Sequence, residues 1–358
     1  MVGLVVGSKA KIGRAPGYHP FVTWTPDVAA ASRELTNPLA EKGRLALDGI
    51  NGMTTKGRIF VLTGCTAAGK TEWALRWAEQ NNAEIVSCDS LLFYRGMDIG
   101  TAKPTAEERA RVPHHLIDVC EVTDRMDITD YVALAKRSVE EISSRGRRVL
   151  VTGGSGFYLK AFFAPVADAV AVSGELRSEI DARLRTEGLP ALVADLEKLN
   201  PAGLGALDMA NPRRVVRALE RCRASAKTMA ELAEEFAKTP APFGNWDVQL
   251  VRLDRAPEEL GQRILLRVKA MLGAGLIEEV QRLLPLGLKE NLSASKAIGY
   301  RETIDFLEGR LPRARLVEEI AQNTRGLVKK QRTWFRTQLP EHKIVPAAVG
   351  LPDDLFVL

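Results

Sequence analysis

Ile59-Phe60-Val61-Leu62-Thr63-Gly64-Cys65-Thr66-Ala67-Ala68-Gly69-Lys70-Thr71 joins a short apolar run to a glycine-rich turn that ends in lysine and threonine. From Gly64 to Thr71 it fits G-x-x-x-x-G-K-[ST], the phosphate-binding loop. The glycines let backbone N–H groups converge on phosphate oxygens, and the N-terminus of the following helix adds partial positive charge. Lys70 brings a point charge to a terminal phosphate, and the Thr71 hydroxyl is placed to ligate Mg²⁺. An ordinary glycine-rich turn is the bland alternative, but it needs neither Lys70 nor Thr71. The pattern predicts a buried strand before the loop and a helix from Thr71 to Gln80 after it.

Glu84-Ile85-Val86-Ser87 reads as a second strand, which runs into Cys88-Asp89-Ser90. A helix over about 130–144, capped by Thr129 and stopped by Gly146, leads to a third strand, Arg148-Val149-Leu150-Val151-Thr152, ending in Gly153-Gly154. Strands alternating with helices predict an α/β fold, a P-loop NTPase-like parallel sheet core flanked by helices. Ligands of such sheets bind at the carboxyl ends of the strands, where Gly, Thr, Asp and Ser gather in this chain. Residues 173–245 are helical in pattern and read as a helical insertion domain. Val248 to Leu253 returns to the sheet, and the longest helix is expected from Leu316 to Gln338. The catalytic core thus spans 57–172 and 246–345, while 1–56 is expected to be a poorly ordered extension to which no function is assigned.

The 358 residues include 50 Lys and Arg against 45 Asp and Glu, a net charge of +5, and are 46% hydrophobic. That balance belongs to a globular chain with a real core, and the basic excess suits a polyanionic partner. No apolar run approaches the roughly 18 residues of a membrane span. The four cysteines, Cys65, Cys88, Cys120 and Cys222, form no C-x-x-C pair, so no zinc site or disulfide framework is expected and a reducing cytoplasm is. His114 and His115 have no metal-ligand spacing and read as structural.

Several further stretches carry a resemblance. They are Asp89-Ser90-Leu91-Leu92-Phe93-Tyr94-Arg95-Gly96-Met97-Asp98-Ile99-Gly100-Thr101-Ala102-Lys103-Pro104, Pro113 to Asp118, and Gly153-Gly154-Ser155-Gly156-Phe157-Tyr158-Leu159-Lys160. Asn211 to Glu220, Lys296-Ala297-Ile298-Gly299-Tyr300-Arg301-Glu302 and Thr324 to Phe335 complete the series. Together with the phosphate loop they resemble, in order, the motifs of the bacterial tRNA dimethylallyltransferases over about 58–340. Cys65, Ala68, Ser155 and Val328 depart from the usual residues of that family; none of these changes removes an ionisable group. No cysteine follows Cys222, unlike the eukaryotic relatives with a C-terminal zinc finger.

The resemblance implies transfer of a dimethylallyl group from dimethylallyl diphosphate to an adenine beside the anticodon of tRNA, with Mg²⁺ as cofactor. It assigns Asp89 as general base, Ser155 as its orienting partner, and Arg325 as the arginine that clamps the diphosphate with Lys70 and Thr71. The chemistry agrees. An allylic diphosphate ionises readily once its leaving group is neutralised, and an exocyclic amine needs a base because its lone pair is delocalised. A second-shell metal ligand is the competing reading of Asp89.

The anticodon stem-loop is the implied partner of Asp89, Ser90, Leu91, Leu92, Ser155, Arg177, Arg213, Arg214, Val215, Val216, Arg217, Lys296, Ala297, Ile298, Gly299, Tyr300 and Arg301. Arg325, Lys329, Arg332 and Arg336 recur at helical spacing; such a stripe is usually a solvated face, but the last three suit an RNA backbone. A base swung out of a folded loop also needs apolar walls near Asp89, for which Phe93 and Tyr94 are candidates, Phe93 being the better fit to core packing. A monomer with no membrane association is expected. A small-molecule kinase, an adenylate isopentenyltransferase and a non-catalytic RNA-binding module are the rivals. The first leaves the basic C-terminal helix unexplained, the second the basic clusters, and the third the pairing of Lys70 with Thr71.

Overall fold

The computed structural model describes residues 57–347 and 352–358, all within one compact unit, Thr55–Leu358. The expectation for residues 1–56 lies outside the described residues. Six strands form one sheet: β1 (Arg58–Gly64), β2 (Ala83–Ser87), β3 (His114–His115), β4 (Arg148–Gly153), β5 (Asp247–Asp254) and β6 (Lys343–Pro346). Their order is β3-β2-β4-β1-β5-β6, and every pairing is parallel. The inner strands are buried on both faces, which is why Ile59–Leu62 and Val149–Val151 read as continuous apolar runs rather than alternating ones. β3 and β6, of two and four residues, were not foreseen, because strands so short carry no periodicity to read.

Thirteen helices surround or extend this sheet among the described residues. They are α1 (Lys70–Gln80), α2 (Ala106–Arg111), α3 (Ile128–Ser144), α4 (Gly156–Lys160), α5 (Gly174–Thr186), α6 (Leu189–Leu199) and α7 (Pro212–Ser225). Then follow α8 (Met229–Ala237), α9 (Pro257–Gly273), α10 (Leu276–Leu283), α11 (Leu292–Ser295), α12 (Tyr300–Leu307) and α13 (Arg313–Gln338). The cap of α3 is Asp127 rather than the expected Thr129. Its carboxylate accepts the N–H groups of Thr129 and Asp130, and the Asp130 side chain accepts the Asp127 N–H in return. α13 starts at Arg313, three residues ahead of the expected Leu316, directly after Pro312.

Helices α5 to α8 occupy the stretch between α4 and β5 and enclose a hydrophobic cluster of their own, centred on Ile180, Leu192, Leu196, Val215, Leu219 and Cys222. The main core is separate and lies around the sheet. Among the described residues no helix is long and apolar enough to cross a membrane.

The register sets the carboxyl ends of the central strands level with one another. Thr63 of β1 pairs with Gly153 of β4, and Ser87 of β2 with Thr152 of β4. A Cβ on Gly153 would fall 2.0 Å from the Cys88 carbonyl oxygen, so glycine is what lets the two strand ends run this close.

Candidate active site

The phosphate loop, Gly64 to Thr71, links β1 to α1 and is held through its carbonyls. The Lys70 ammonium donates to Gly64 O at 3.0 Å and Cys65 O at 2.9 Å. From outside, Arg263 Nε donates to Ala67 O at 2.8 Å and Arg255 Nε to Ala68 O at 3.1 Å. Gly69 turns the chain with φ of 102°, a left-handed conformation that glycine adopts without strain. Desolvation pushes Lys70 down to about 8; the nearby Arg267 adds to this, and the Asp89 carboxylate opposes it.

Asp89 stands just past the end of β2, where its Oδ1 accepts the Leu91 N–H at 3.1 Å. Ser155, from the turn after β4, accepts the Ser90 N–H at 3.1 Å and lies 3.3 Å from the Ser90 hydroxyl. The ends of β2 and β4 are thereby tied beside the carboxylate. Arg267 enters this group from the middle of α9. Burial lowers its pKa while the Asp89 charge acts against the shift, and its Nη2 is fixed on Thr101 O at 3.2 Å. A guanidinium so placed still stays protonated in the neutral range. Gln331 of α13 completes the frame: its Oε1 accepts the Thr66 N–H at 3.0 Å and its Nε2 donates to Gly154 O at 3.0 Å. Sequence reasoning gave a role to neither: Arg267 lies outside the resembling stretches, and Gln331 lies within one of them with nothing to set it apart from its neighbours.

Two chambers meet here. The smaller encloses about 100 Å³ and is lined by Lys70, Thr71, Ser87, His114, Thr152 and Arg267 among others. The larger, about 600 Å³ and open to solvent, is lined by Leu91, Phe157, Lys296, Ile298, Lys330 and Trp334 among others. Thr66, Asp89, Gly154, Arg267 and Gln331 line both, so Asp89 sits at their junction. In the smaller chamber the buried hydroxyls of Ser87 and Thr152, neighbours in the β2–β4 ladder, have no partner among the described residues. Buried hydroxyls of this kind call for water or ligand. Among the described residues no group of three or more His, Cys, Asp or Glu could hold a metal. The Thr71 hydroxyl and these unpartnered hydroxyls are oxygen donors of the kind Mg²⁺ accepts beside its waters and phosphate oxygens.

Other candidate residues fall in different places. Ser90 and Leu91 line the larger chamber, as do Lys296, Ala297, Ile298 and Gly299, while Leu92 lines the smaller. Tyr300, expected at the RNA, is fully buried instead; its hydroxyl donates to Glu279 Oε1 at 2.6 Å. Glu279 also accepts the N–H groups of Asp98, Ile99 and Gly100, so Tyr300 serves the loop that closes this side of the site. Arg301 is exposed and paired with Glu302 at 2.5 Å. Phe93 and Tyr94 are both buried, so the aromatic surface beside Asp89 comes from Phe157 and Trp334.

Arg325 pairs with Glu318 on its own helix and lines neither chamber. Arg332, expected to face RNA, is turned behind the phosphate loop, where Nη2 donates to Arg255 O at 2.5 Å and lies 3.5 Å from Asp254 Oδ1. Lys329 and Arg336 are exposed. On α5 and α7, Arg177, Arg213, Arg214 and Arg217 are exposed, with Arg217 paired to Glu220 at 3.1 Å. The Val215 side chain is buried in the helical cluster, and Val216 is half-buried.

Comparison with known proteins adds the family context. A sequence profile described as IPP transferase matches residues 92–338. A tRNA dimethylallyltransferase of Opitutus terrae is 68% identical over 83% of this chain and 95% of its own length. One of Deinococcus radiodurans is 42% identical over 78% and 90%. Among solved structures, a tRNA isopentenylpyrophosphate transferase of Bacillus halodurans is 33% identical with a TM-score of 0.59, covering 82% of this chain and 90% of that one. A eukaryotic dimethylallyltransferase solved acting on tRNA shares the fold, at 23% identity and a TM-score of 0.69 over 81% of this chain and 74% of that one.

Proposed function

The chain belongs to the IPP transferase family, and we propose that it prenylates tRNA, moving the dimethylallyl group of dimethylallyl diphosphate to the N6 amine of adenosine 37. That residue lies on the 3′ side of the anticodon, in tRNAs reading codons that begin with U. The observation carrying this reading is the position of Asp89 at the junction of a small cationic chamber and a large, partly apolar one. A donor diphosphate fits the first and an extruded base the second. A kinase has no use for an open chamber of about 600 Å³ walled by Phe157, Trp334 and two lysines.

In the reaction the C1–O bond of the allylic diphosphate breaks as the N6–C1 bond forms, and pyrophosphate leaves. Lys70 and Arg267 neutralise the charge that grows on the departing oxygens. The Thr71 hydroxyl would hold Mg²⁺ beside these cations, and the ion, when bound, would supply Lewis-acid neutralisation of the leaving group. Asp89 takes the N6 proton, and the Ser155–Ser90 link holds its loop in place. With the acceptor base filling the open chamber, Trp334 and its apolar neighbours shield the allylic carbon from water. The exposed arginines of α5 and α7 engage the phosphates of the anticodon stem-loop.

The test is an incubation of labelled dimethylallyl diphosphate with unmodified tRNA, AMP or ATP. Label is expected in tRNA alone, at adenosine 37. Label in AMP or ATP at comparable rates would return the free-nucleotide prenyltransferase reading.

A further inference from the structure

Phe157 is the only aromatic among the exposed large hydrophobic side chains of the described residues, at 53% exposure. A single exposed apolar side chain means little by itself. This one is different in where it stands: it lines the large chamber, two residues after Ser155 and on the same wall as Trp334. Its exposure is imposed by its neighbours. Leu159 is buried, and the Tyr158 ring packs on Tyr131 and Phe93 at centroid distances of 4.6 and 5.7 Å. With those two residues turned inward, the first turn of α4 presents Phe157 outward. Trp334 is seated against Gly156, where a Cβ would come within 2.5 Å of the indole, so the wall on which Phe157 stands is tightly packed. Phe157 itself has no aromatic partner among the described residues.

The remaining lining says what kind of molecule would cover that ring. Lys296 and Lys330 face the same chamber, are exposed and have no ion-pair partner among the described residues. An aromatic face flanked by unpaired cations suits a planar base on an anionic backbone. An adenine whose amine must reach Asp89 has to leave its stack, and the extruded base regains stacking on a protein ring.

We propose that Phe157 is the stacking surface for the acceptor adenine as it enters the chamber, a specificity-determining residue of the acceptor site. The inference rests on the reading of tRNA as acceptor. An anticodon stem-loop with 2-aminopurine in place of adenosine 37 tests it, since that base stacks like adenine but lacks the reactive amine. At saturating protein, its emission is expected to be lower with the parent enzyme than with Phe157→Ala, and Phe157→Trp should restore the lower value. With the unsubstituted stem-loop, Phe157→Ala should lose about 5- to 150-fold in kcat/KM, the range for losing one base–aromatic stack, with KM for dimethylallyl diphosphate unchanged. Equal emission with parent and Phe157→Ala overturns the proposal. So does a defect confined to dimethylallyl diphosphate, which would place the ring against the prenyl tail. A parent enzyme that prenylates no stem-loop refutes the acceptor reading itself, and this inference with it.

Discussion

The Thr66 N–H of the phosphate loop is bonded to Gln331 Oε1 at 3.0 Å, although the two residues lie 265 positions apart. Because Gln331 Nε2 also donates to Gly154 O at 3.0 Å, one side chain of α13 fastens the loop after β1 to the turn after β4. The same helix face lines the larger chamber through Thr324, Leu327 and Trp334. The walls of the two chambers thus share a strut.

Removing the strut should disturb the donor side first. Gln331→Ala leaves a half-buried N–H and carbonyl without partners, a loss of about 1–3 kcal/mol per group when water cannot replace the bond. Pyrophosphate affinity is expected to fall, and the rise in melting temperature that pyrophosphate confers should shrink. Gln331→Glu keeps the acceptor for Thr66 but loses the donor for Gly154 and adds negative charge beside the diphosphate, so it should bind pyrophosphate more weakly than Gln331→Ala. Calorimetric titration of both variants checks the order; pyrophosphate binding that is unchanged in Gln331→Ala would deny the strut a role in the loop.

The pH dependence of donor binding follows from Lys70. Its ammonium is the form that attracts the diphosphate, and desolvation lowers its pKa from 10.5 to about 8. Pyrophosphate affinity should therefore fall as pH rises through about 8, and Lys70→Arg, protonated throughout, should lose that limb. Stability moves the other way. Between about 8 and 10.5 the unfolded chain binds more protons at this lysine than the folded one, so its contribution to stability rises with pH across that window. Binding isotherms from pH 7 to 10, with melting curves alongside, separate the two trends.

Two arginines compete for the donor diphosphate: Arg267, which lines both chambers, and Arg325, which is paired with Glu318 on α13. Arg267→Ala should lower kcat/KM for dimethylallyl diphosphate by about 10²–10³, the usual effect of deleting one preorganised charge at a developing anion. Arg325→Ala breaks an exposed pair with Glu318 and should change little. Steady-state kinetics of the two variants decide the matter. The reverse ranking would mean that Arg325 leaves Glu318 to clamp the diphosphate.

What the sequence discloses depends on how far apart the cooperating residues are. The phosphate loop and Asp89 are legible because a strand, a tight turn and a polar strand end lie within a few residues of each other. The parallel sheet follows from the alternation of such units. β3 and β6 escape because they are too short for a period. Arg267 escapes because it sits mid-helix, 178 residues after Asp89, with nothing beside it to mark a site. Tyr300 lies in a stretch that resembles an RNA-contacting motif and Arg332 on a basic stripe suited to RNA, yet one is turned to Glu279 and the other to Asp254. A motif fixes the backbone neighbourhood; which way each side chain points is decided by tertiary partners it does not contain.

Asp89 permits the most discriminating test, because its two readings predict opposite responses to metal. As the base that accepts the N6 proton, its replacement by asparagine keeps the shape and the bond from Leu91 N–H, but removes the proton acceptor. The chemical step should slow by about 10²–10⁴, the usual range for loss of a general base. The geometry adds a second expectation. Asp89 is the negative charge facing Lys70 and Arg267, so Asp89→Asn leaves both cations free for the diphosphate, and pyrophosphate should bind more tightly than to the parent. tRNA affinity should stay close to that of the parent. If Asp89 instead holds Mg²⁺ through water, Asp89→Asn should raise the Mg²⁺ requirement, weaken metal-dependent pyrophosphate binding, and recover most of its rate when Mg²⁺ is added. Single-turnover prenylation across a Mg²⁺ titration, paired with pyrophosphate calorimetry, reads both quantities. A slow, metal-insensitive variant that grips pyrophosphate more firmly is the general-base outcome; metal rescue together with weakened pyrophosphate binding would make Asp89 a metal-shell residue and leave the N6 proton to another acceptor.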